Sequence, residues 1–222
     1  MRITGIKSLI FAASAIAGIT VLLSATAAPP RQAAQATPTS TSAAVASTPA
    51  VTSPVSLTLD PAQSKVHYTV PTTLHTVHGT FDVTRGTMDF DPASGKAAGE
   101  IVVNAKSGES GNNSRDNRMH KEILETAKFP EAVFRPTQVE GIVAASGPCE
   151  IKVHGTFSVH GSDHNVVALV HAELAGQTWK GTGKFDVPYV QWGIKDPSNF
   201  LLKVNHVVSV EIEMGGSLQP AR

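Results

Sequence analysis

Residues 114–136 read SRDNRMHKEILETAKFPEAVFRP, and here alone the period of the chain changes. On either side apolar and polar residues alternate, as along half-buried strands; inside, Met119 and Ile123 stand i, i+4 among good helix formers. The pattern predicts a short helix set into a sheet protein. Its apolar face, Met119, Ile123 and Leu124, must cover something, and Pro130 ends the helical pattern before Ala132–Gln138 resumes as a strand. The expected role is a lid over the end of a barrel.

Outward from the lid, strand signals recur at Val55–Leu59, Lys65–Val70, Val77–Thr84, Gly86–Asp91, Ala98–Asn104, Glu131–Gln138, Cys149–Val159, Asn165–Leu174, Thr178–Val187 and Phe200–Met214. Breaks such as Asp91-Pro92-Ala93-Ser94-Gly95, His160-Gly161-Ser162-Asp163 and Ala175-Gly176-Gln177 carry turn chemistry. Short links between consecutive strands imply antiparallel neighbours, and parallel crossovers would need further helices. The expected fold is all-β, an antiparallel barrel of about eight strands with one inserted helix.

Parity sorts the faces. Ile151, Val153, Gly155, Phe157 and Val159 oppose Glu150, Lys152, His154, Thr156 and Ser158; Trp179, Gly181, Gly183, Phe185 and Val187 oppose Lys180, Thr182, Lys184 and Asp186. In the last run, Leu202, Val204, His206, Val208 and Val210 share a side. Glycines 79, 155, 181 and 183 fall on the apolar faces beside Phe81, Phe157 and Phe185, which allows strand kinks at barrel corners or side-chain volume withdrawn to leave a hollow. The expected tunnel wall is Phe81, Met88, Phe90, Met119, Ile123, Leu124, Phe134, Phe157, Trp179, Phe185, Trp192, Val204, His206 and Val208.

The ends of the chain have different compositions. Residues 1–27 carry Arg2 and Lys7, an uncharged apolar run over Leu9–Leu23 and a closing Ala25-Thr26-Ala27, the pattern of a cleavable export signal; left uncleaved, the same run would tether the protein to a membrane. The folded part is expected in the periplasm or otherwise exported. Residues 28–55, rich in Ala, Thr, Ser and Pro, read as a disordered linker, 56–217 as the barrel and 218–222 as a tail. Removing the signal takes two basic residues and no acidic one from a balance of 18 against 18. So balanced a chain gives no electrostatic case for nucleic acid. Cys149 is the sole cysteine; it keeps the parity of Ile151 and Val153 and reads as a small core residue.

Several ordered motifs carry a family resemblance: Arg115-Asp116 with Met119, Ala127-Lys128-Phe129-Pro130-Glu131 with Phe134, Leu59-Asp60 with Ser64, Val77-His78-Gly79-Thr80-Phe81 with Arg85-Gly86, Val153–Gly161, and Trp192-Gly193-Ile194. Over about Ser56–Gly216 the chain resembles the YceI family of exported, lipid-binding, lipocalin-like proteins. The resemblance implies an elongated barrel enclosing an apolar tunnel for a polyisoprenoid, an isoprenoid quinone or a fatty-acid-type lipid, with no cofactor. It departs from the family at Ile123-Leu124, where an aromatic pair is common, and at Tyr189 and Gln191, where Arg and Asp often stand. Burial of apolar chain is worth about 0.8 kcal/mol per CH₂, so specificity must come from polar groups at the mouth. Arg115, Asp116, Arg118 and His120, on the lid beside its apolar stripe, are the head-group candidates; a solvated helix face is the competing account of the same charges.

Nine histidines invite a metal reading, but His75-x-x-His78 and His160-x-x-x-His164 lie at strand ends and turns without Cys or acidic partners. No nucleophile elbow, paired carboxylates or phosphate-cradling loop proposes an enzyme. The expectation is therefore an exported lipid carrier, with an extracytoplasmic His-rich metal or stress-response module as the alternative. Monomer and homodimer both stay open.

Overall fold

The computed structural model describes residues 49–221; the export signal and all of the linker before residue 49 lie outside the described residues. Among the described residues, nine strands and one α-helix follow in chain order: β1 Val55–Leu59, β2 Lys65–Pro71, β3 Thr76–Asp91, β4 Lys96–Glu109, α1 Asn113–Arg118, β5 Glu131–Glu140, β6 Gly147–Val159, β7 Ser162–Ala175, β8 Thr178–Val187 and β9 Val208–Pro220. All pairings are antiparallel, and from β2 to β9 each strand bonds its sequence neighbour until β9 returns to β2. The sheet closes into an eight-stave barrel with one additional strand.

That strand, β1, lies in line with β2. Both sit between β3 and β9, β1 facing Thr87–Phe90 and Gly216–Pro220, β2 facing Thr76–Asp82 and Ser209–Glu213. They form one stave broken at a 3₁₀ turn, Pro61–Gln63, where the Asp60 side chain accepts from the Ala62 amide at 3.0 Å and the Ser64 hydroxyl donates to the Asp60 carbonyl at 2.8 Å. Asp-Pro at that point is the sequence cause, since Pro61 presets the backbone angle of a first helical residue.

Four expectations need correction. Val77–Thr84 and Gly86–Asp91 are one strand, β3, whose register slips between Val83 and Arg85 without breaking it; a bulge absorbs the irregularity. The last strand begins at Val208, not Phe200, because Asn199 Oδ1 accepts from the amides of Leu201 and Leu202 and Asn205 Oδ1 from that of Val207. Such side-chain turns offer the backbone an alternative to the ladder. At the carboxyl end the expected tail is strand up to Pro220, and the Ala221 amide bonds Pro54 O at 3.0 Å. At the amino end, Ala50 bridges Ala144 and Val51 bonds Val143, so the last part of the expected linker is held against the β5–β6 loop.

The lid stretch is shorter than its pattern suggested. Asn112 caps α1 by accepting from the Arg115 amide at 3.0 Å, and a π-helical turn, Met119–Ile123, follows directly. Helix ends at Leu124, ahead of Pro130, where Glu125 takes the left-handed conformation at φ 44.

Inside the barrel stand Leu174, Val153 and Leu59, exposed by only 2%, 3% and 4%. Cys149 is half-buried against this interior. Outside stand cross-strand ion pairs: Lys65–Asp82 at 2.6 Å, Arg85–Glu100 at 3.0 Å, Lys184–Glu211 at 3.0 Å. Each contributes little stability in water, but together they make a wet exterior around a dry interior, the reverse of a membrane-spanning barrel.

Two inward glycines leave no hollow of their own. A Cβ on Gly79 would run into the ring of Tyr68, its partner across the β2–β3 ladder, and one on Gly155 would stand 2.6 Å from the ring of Phe134. Aromatic side chains lie flat over the missing Cβ, which lets a tightly curved sheet keep its inner face closed.

Candidate functional site

An apolar cavity of about 650 Å³ occupies the barrel. Its deep end, on the side of the tight β3–β4 and β7–β8 turns, is formed by Val143, Leu174, Trp179, Met214 and Leu218. Its other end lies among the β2–β3 turn, α1 with its π turn, the β6–β7 turn and the 188–207 loop. The polar lining side chains Thr72, His75, Asn112, Ser114, Arg115, Arg118, Glu131 and His160 all gather there. A dry tube with polar groups at one mouth suits a ligand with a long apolar part and one polar head.

The lid is fixed to the barrel at three points. Asp116 accepts from the amide and hydroxyl of Ser110, while Arg115 donates from Nε to Ser110 Oγ and from its terminal nitrogen to Ser110 O, each at 2.7 Å. His120 Nε2 donates to the Gly108 carbonyl at 2.8 Å, and Met119 lies over Gly108 beside Phe81. Beyond the π turn, His160 Nε2 meets Glu125 Oε2 at 2.9 Å, and the Phe129 ring covers His160 at 4.6 Å between centroids. His160 and Gly161 both have positive φ, 52 and 78, the geometry of a tight hairpin turn of the kind that matches strand twist.

These contacts divide the four head-group candidates. Arg115 and Arg118 line the cavity; Asp116 and His120 do not. Helical rotation is the reason: residues 115, 118 and 119 share one face, and 116 with 120 the next; Asp116 and His120 are engaged by Ser110 and Gly108, while Arg115 bonds Ser110 and still borders the cavity.

Of the expected wall, Phe81, Met88, Phe90, Met119, Ile123, Leu124, Phe134, Phe157, Trp179, Phe185, Val204 and Val208 reach the cavity. Two do not. Trp192 stacks flat on His164 at 4.0 Å and packs beside Phe157, and His206, outside any strand, is exposed with Nε2 3.2 Å from Asp196 Oδ2. Sequence reading missed Tyr68, Tyr189, Thr72, His75 and His160. Tyr68 shares the parity of Val66 and Val70 and was discoverable from it; Tyr189 sits in a loop, where no period exists.

Both cavity tyrosines are neutral at physiological pH. Burial raises the Tyr68 phenol, and its hydroxyl lies 3.6 Å from Met119 Sδ. Burial, then the nearby negative charge of Asp196, pushes Tyr189 up to about 12. Tyr189 is 5% exposed and its hydroxyl has no hydrogen-bond partner among the described residues. On the same loop, the Ser198 hydroxyl and then the Ser198 amide hold Asp196 below the usual carboxylate range.

Among the described residues no three His, Cys, Asp or Glu side chains converge as metal ligands. The histidines are spread over separate tasks: His78 meets Thr69 Oγ1 at 3.2 Å, His154 meets Glu140 at 3.2 Å and His171 meets Glu150 at 3.2 Å.

Residues 57–215, nearly the whole barrel, match the YceI-like domain. The chain belongs to the YceI-like family. Among similar sequences, a UPF0312 protein of Pseudomonas savastanoi pv. phaseolicola and one of Pseudomonas syringae pv. tomato are each 32% identical over 111 residues, 49% of this chain and 52% of theirs. The matching stretch thus spans about half the length of those relatives. Among solved structures, Burkholderia cenocepacia BcnA superimposes with a TM-score of 0.59 at 17% identity, over 71% of this chain and 99% of its own. A polyisoprenoid binding domain from Saccharophagus degradans gives 0.55 at 15%, over 74% and 98%. The Campylobacter jejuni YCEI protein gives 0.51 at 19%, over 64% and 84%. At these identities the likeness is one of fold, and this YceI-like chain shares the barrel of all three.

Proposed function

We propose that the protein holds a long-chain amphiphile of the polyisoprenoid class, tail in the barrel and head at the lid, and that it serves outside the cytoplasm as a carrier or store. The observation that supports this reading best is the cavity itself: about 650 Å³, apolar along its length, with every charged lining side chain at one mouth. At about 30 Å³ for a water-sized group, that volume takes on the order of twenty methylene-sized groups. Their burial at about 0.8 kcal/mol each exceeds the cost of association by enough for micromolar or tighter binding. Arg115, Arg118 and His160 offer cationic or donating groups to an oxygen-rich head. The Saccharophagus degradans domain with the same fold carries its ligand class in its name, which supports the same class here.

The test is direct. Protein purified without detergent is weighed by native mass spectrometry and then extracted into organic solvent. One isoprenoid or comparable long-chain lipid per chain is expected. A bare protein that also fails to take up added polyprenyl lipid overturns the reading.

A further inference from the structure

The mouth of the cavity carries an apolar rim that the fold does not use. Leu74, Phe200 and Leu201 are exposed by 74%, 93% and 80%. They stand on two loops bonded to each other: the Thr73 amide donates to Lys203 O at 3.0 Å, the Lys203 amide to Thr73 Oγ1 at 3.2 Å, and Thr72 bridges Val204. Thr72, His75, Leu202 and Val204, interleaved with them, line the cavity. Capture of the Leu201 and Leu202 amides by Asn199 Oδ1, at 2.9 and 2.8 Å, shapes this arrangement. Among the described residues the other large exposed apolar side chains, Ile142, Val167 and Leu169, lie elsewhere, in the β5–β6 loop and on β7.

Charge distinguishes what this rim would meet. Of the nearby acids, Glu122 is paired with Lys195 at 2.9 Å and Asp196 is hydrogen-bonded to His206 Nε2 at 3.2 Å. Lys203, exposed in the middle of the rim, has no ion-pair partner among the described residues. Protruding apolar side chains around a basic one are what an anionic bilayer binds, the former entering the acyl boundary and the latter meeting the headgroups. The patch is also continuous with a cavity whose apolar walls would otherwise open into water.

We propose that Leu74, Phe200, Leu201 and Lys203 dock the mouth on an anionic bilayer surface, so that a tail passes between membrane and barrel without crossing water. The inference rests on the lipid-binding reading, and its test separates the two. In the full-length chain, Phe200→Trp is mixed with phosphatidylglycerol/phosphatidylcholine vesicles whose acyl chains carry bromine. Emission beyond that of Trp179 and Trp192 should shift blue and be quenched, less so on pure phosphatidylcholine and less so with Lys203→Glu. The readout is local to residue 200, so membrane contact elsewhere in the chain does not produce it. Leu74→Ser/Phe200→Ser/Leu201→Ser should take up polyprenyl lipid from vesicles at least about tenfold more slowly while reaching the same final load.

Unquenched emission with wild-type uptake by the triple variant overturns the proposal. So does emission from the introduced indole that is already buried without vesicles in a species of doubled mass, which assigns the rim to a second copy. Docking by a chain that never carries lipid keeps this inference and sinks the cavity reading; a loaded chain that does not dock does the opposite.

Discussion

Replacing Ala168 by Trp tests whether the barrel is hollow in the sense its function needs. Ala168 lies midway along β7, is 6% exposed, faces Val153 across the β6–β7 ladder and borders the cavity. In a solid core, a residue that much larger forces neighbours off their rotamers at about 1–3 kcal/mol or more. In a hollow one the indole enters empty space. The expected loss is below about 1 kcal/mol, a melting shift of about 2–4 °C for a domain of this size. Ligand binding should suffer far more, because the indole divides the tube at half height and denies the tail its deeper part. Half of about twenty methylene-sized groups at about 0.8 kcal/mol each is about 8 kcal/mol. Discounting this by two thirds for tail that relocates toward the mouth leaves about 2.7 kcal/mol, or about 100-fold in Kd. The assay pairs thermal melting with displacement of a fluorescent long-chain probe and with extraction of the lipid that accompanies the purified protein. A variant that melts like the parent and retains the same lipid at the same ratio refutes the reasoning, as does one that loses about 3 kcal/mol or more of stability.

Tyr189→Phe should be neutral or stabilising by up to about 1 kcal/mol at neutral pH, because it removes a buried hydroxyl with no partner. The ordinary phenol value is 10.0 and that of folded Tyr189 about 12, so across that interval the unfolded chain releases a proton that the folded one keeps. Wild-type stability should therefore fall relative to the variant as pH rises, by at most about 1.4 kcal/mol per unit; urea midpoints that stay parallel across the window would count against it. Gly161→Ala should cost about 1–3 kcal/mol, since φ is +78 and the new Cβ would sit 2.6 Å from the Phe129 ring. A melting temperature unchanged from wild type would show that Phe129 does not latch the lid where described.

How much of this was legible in the sequence depended on whether a residue's neighbours were set by period or by capture. Phe157, Phe185 and Trp179 were placed inward by alternation alone, because one parity of a strand must face the core whatever else the chain does. The lid was legible for the converse reason, as the place where that alternation stops. His206 was misplaced where a continued alternation, Leu202, Val204, His206, was extrapolated through Asn199 and Asn205, whose side chains end strand by bonding nearby amides; Trp192, in the loop ahead of that run, stacks on His164 instead. Those asparagines were the available signal. Arg115 and Arg118 could be assigned to the lid but not separated from Asp116 and His120, because which face of a short helix turns toward a cavity depends on Ser110 and Gly108, residues of the preceding stretch. Tyr189 had no signal at all, since its burial arises only when its loop meets Ile194 and Val187.

Both long excursions from the barrel, between β4 and β5 and between β8 and β9, leave from the same rim, and the turn between β3 and β4 and that between β7 and β8 at the far rim are tight. Staves and gate can thus diverge independently: insertions or exchanges in either excursion would alter what is admitted while the ladder registers stay as they are. A barrel organised this way can be refitted for another cargo by grafting two segments, with its thermal resistance inherited from the wall.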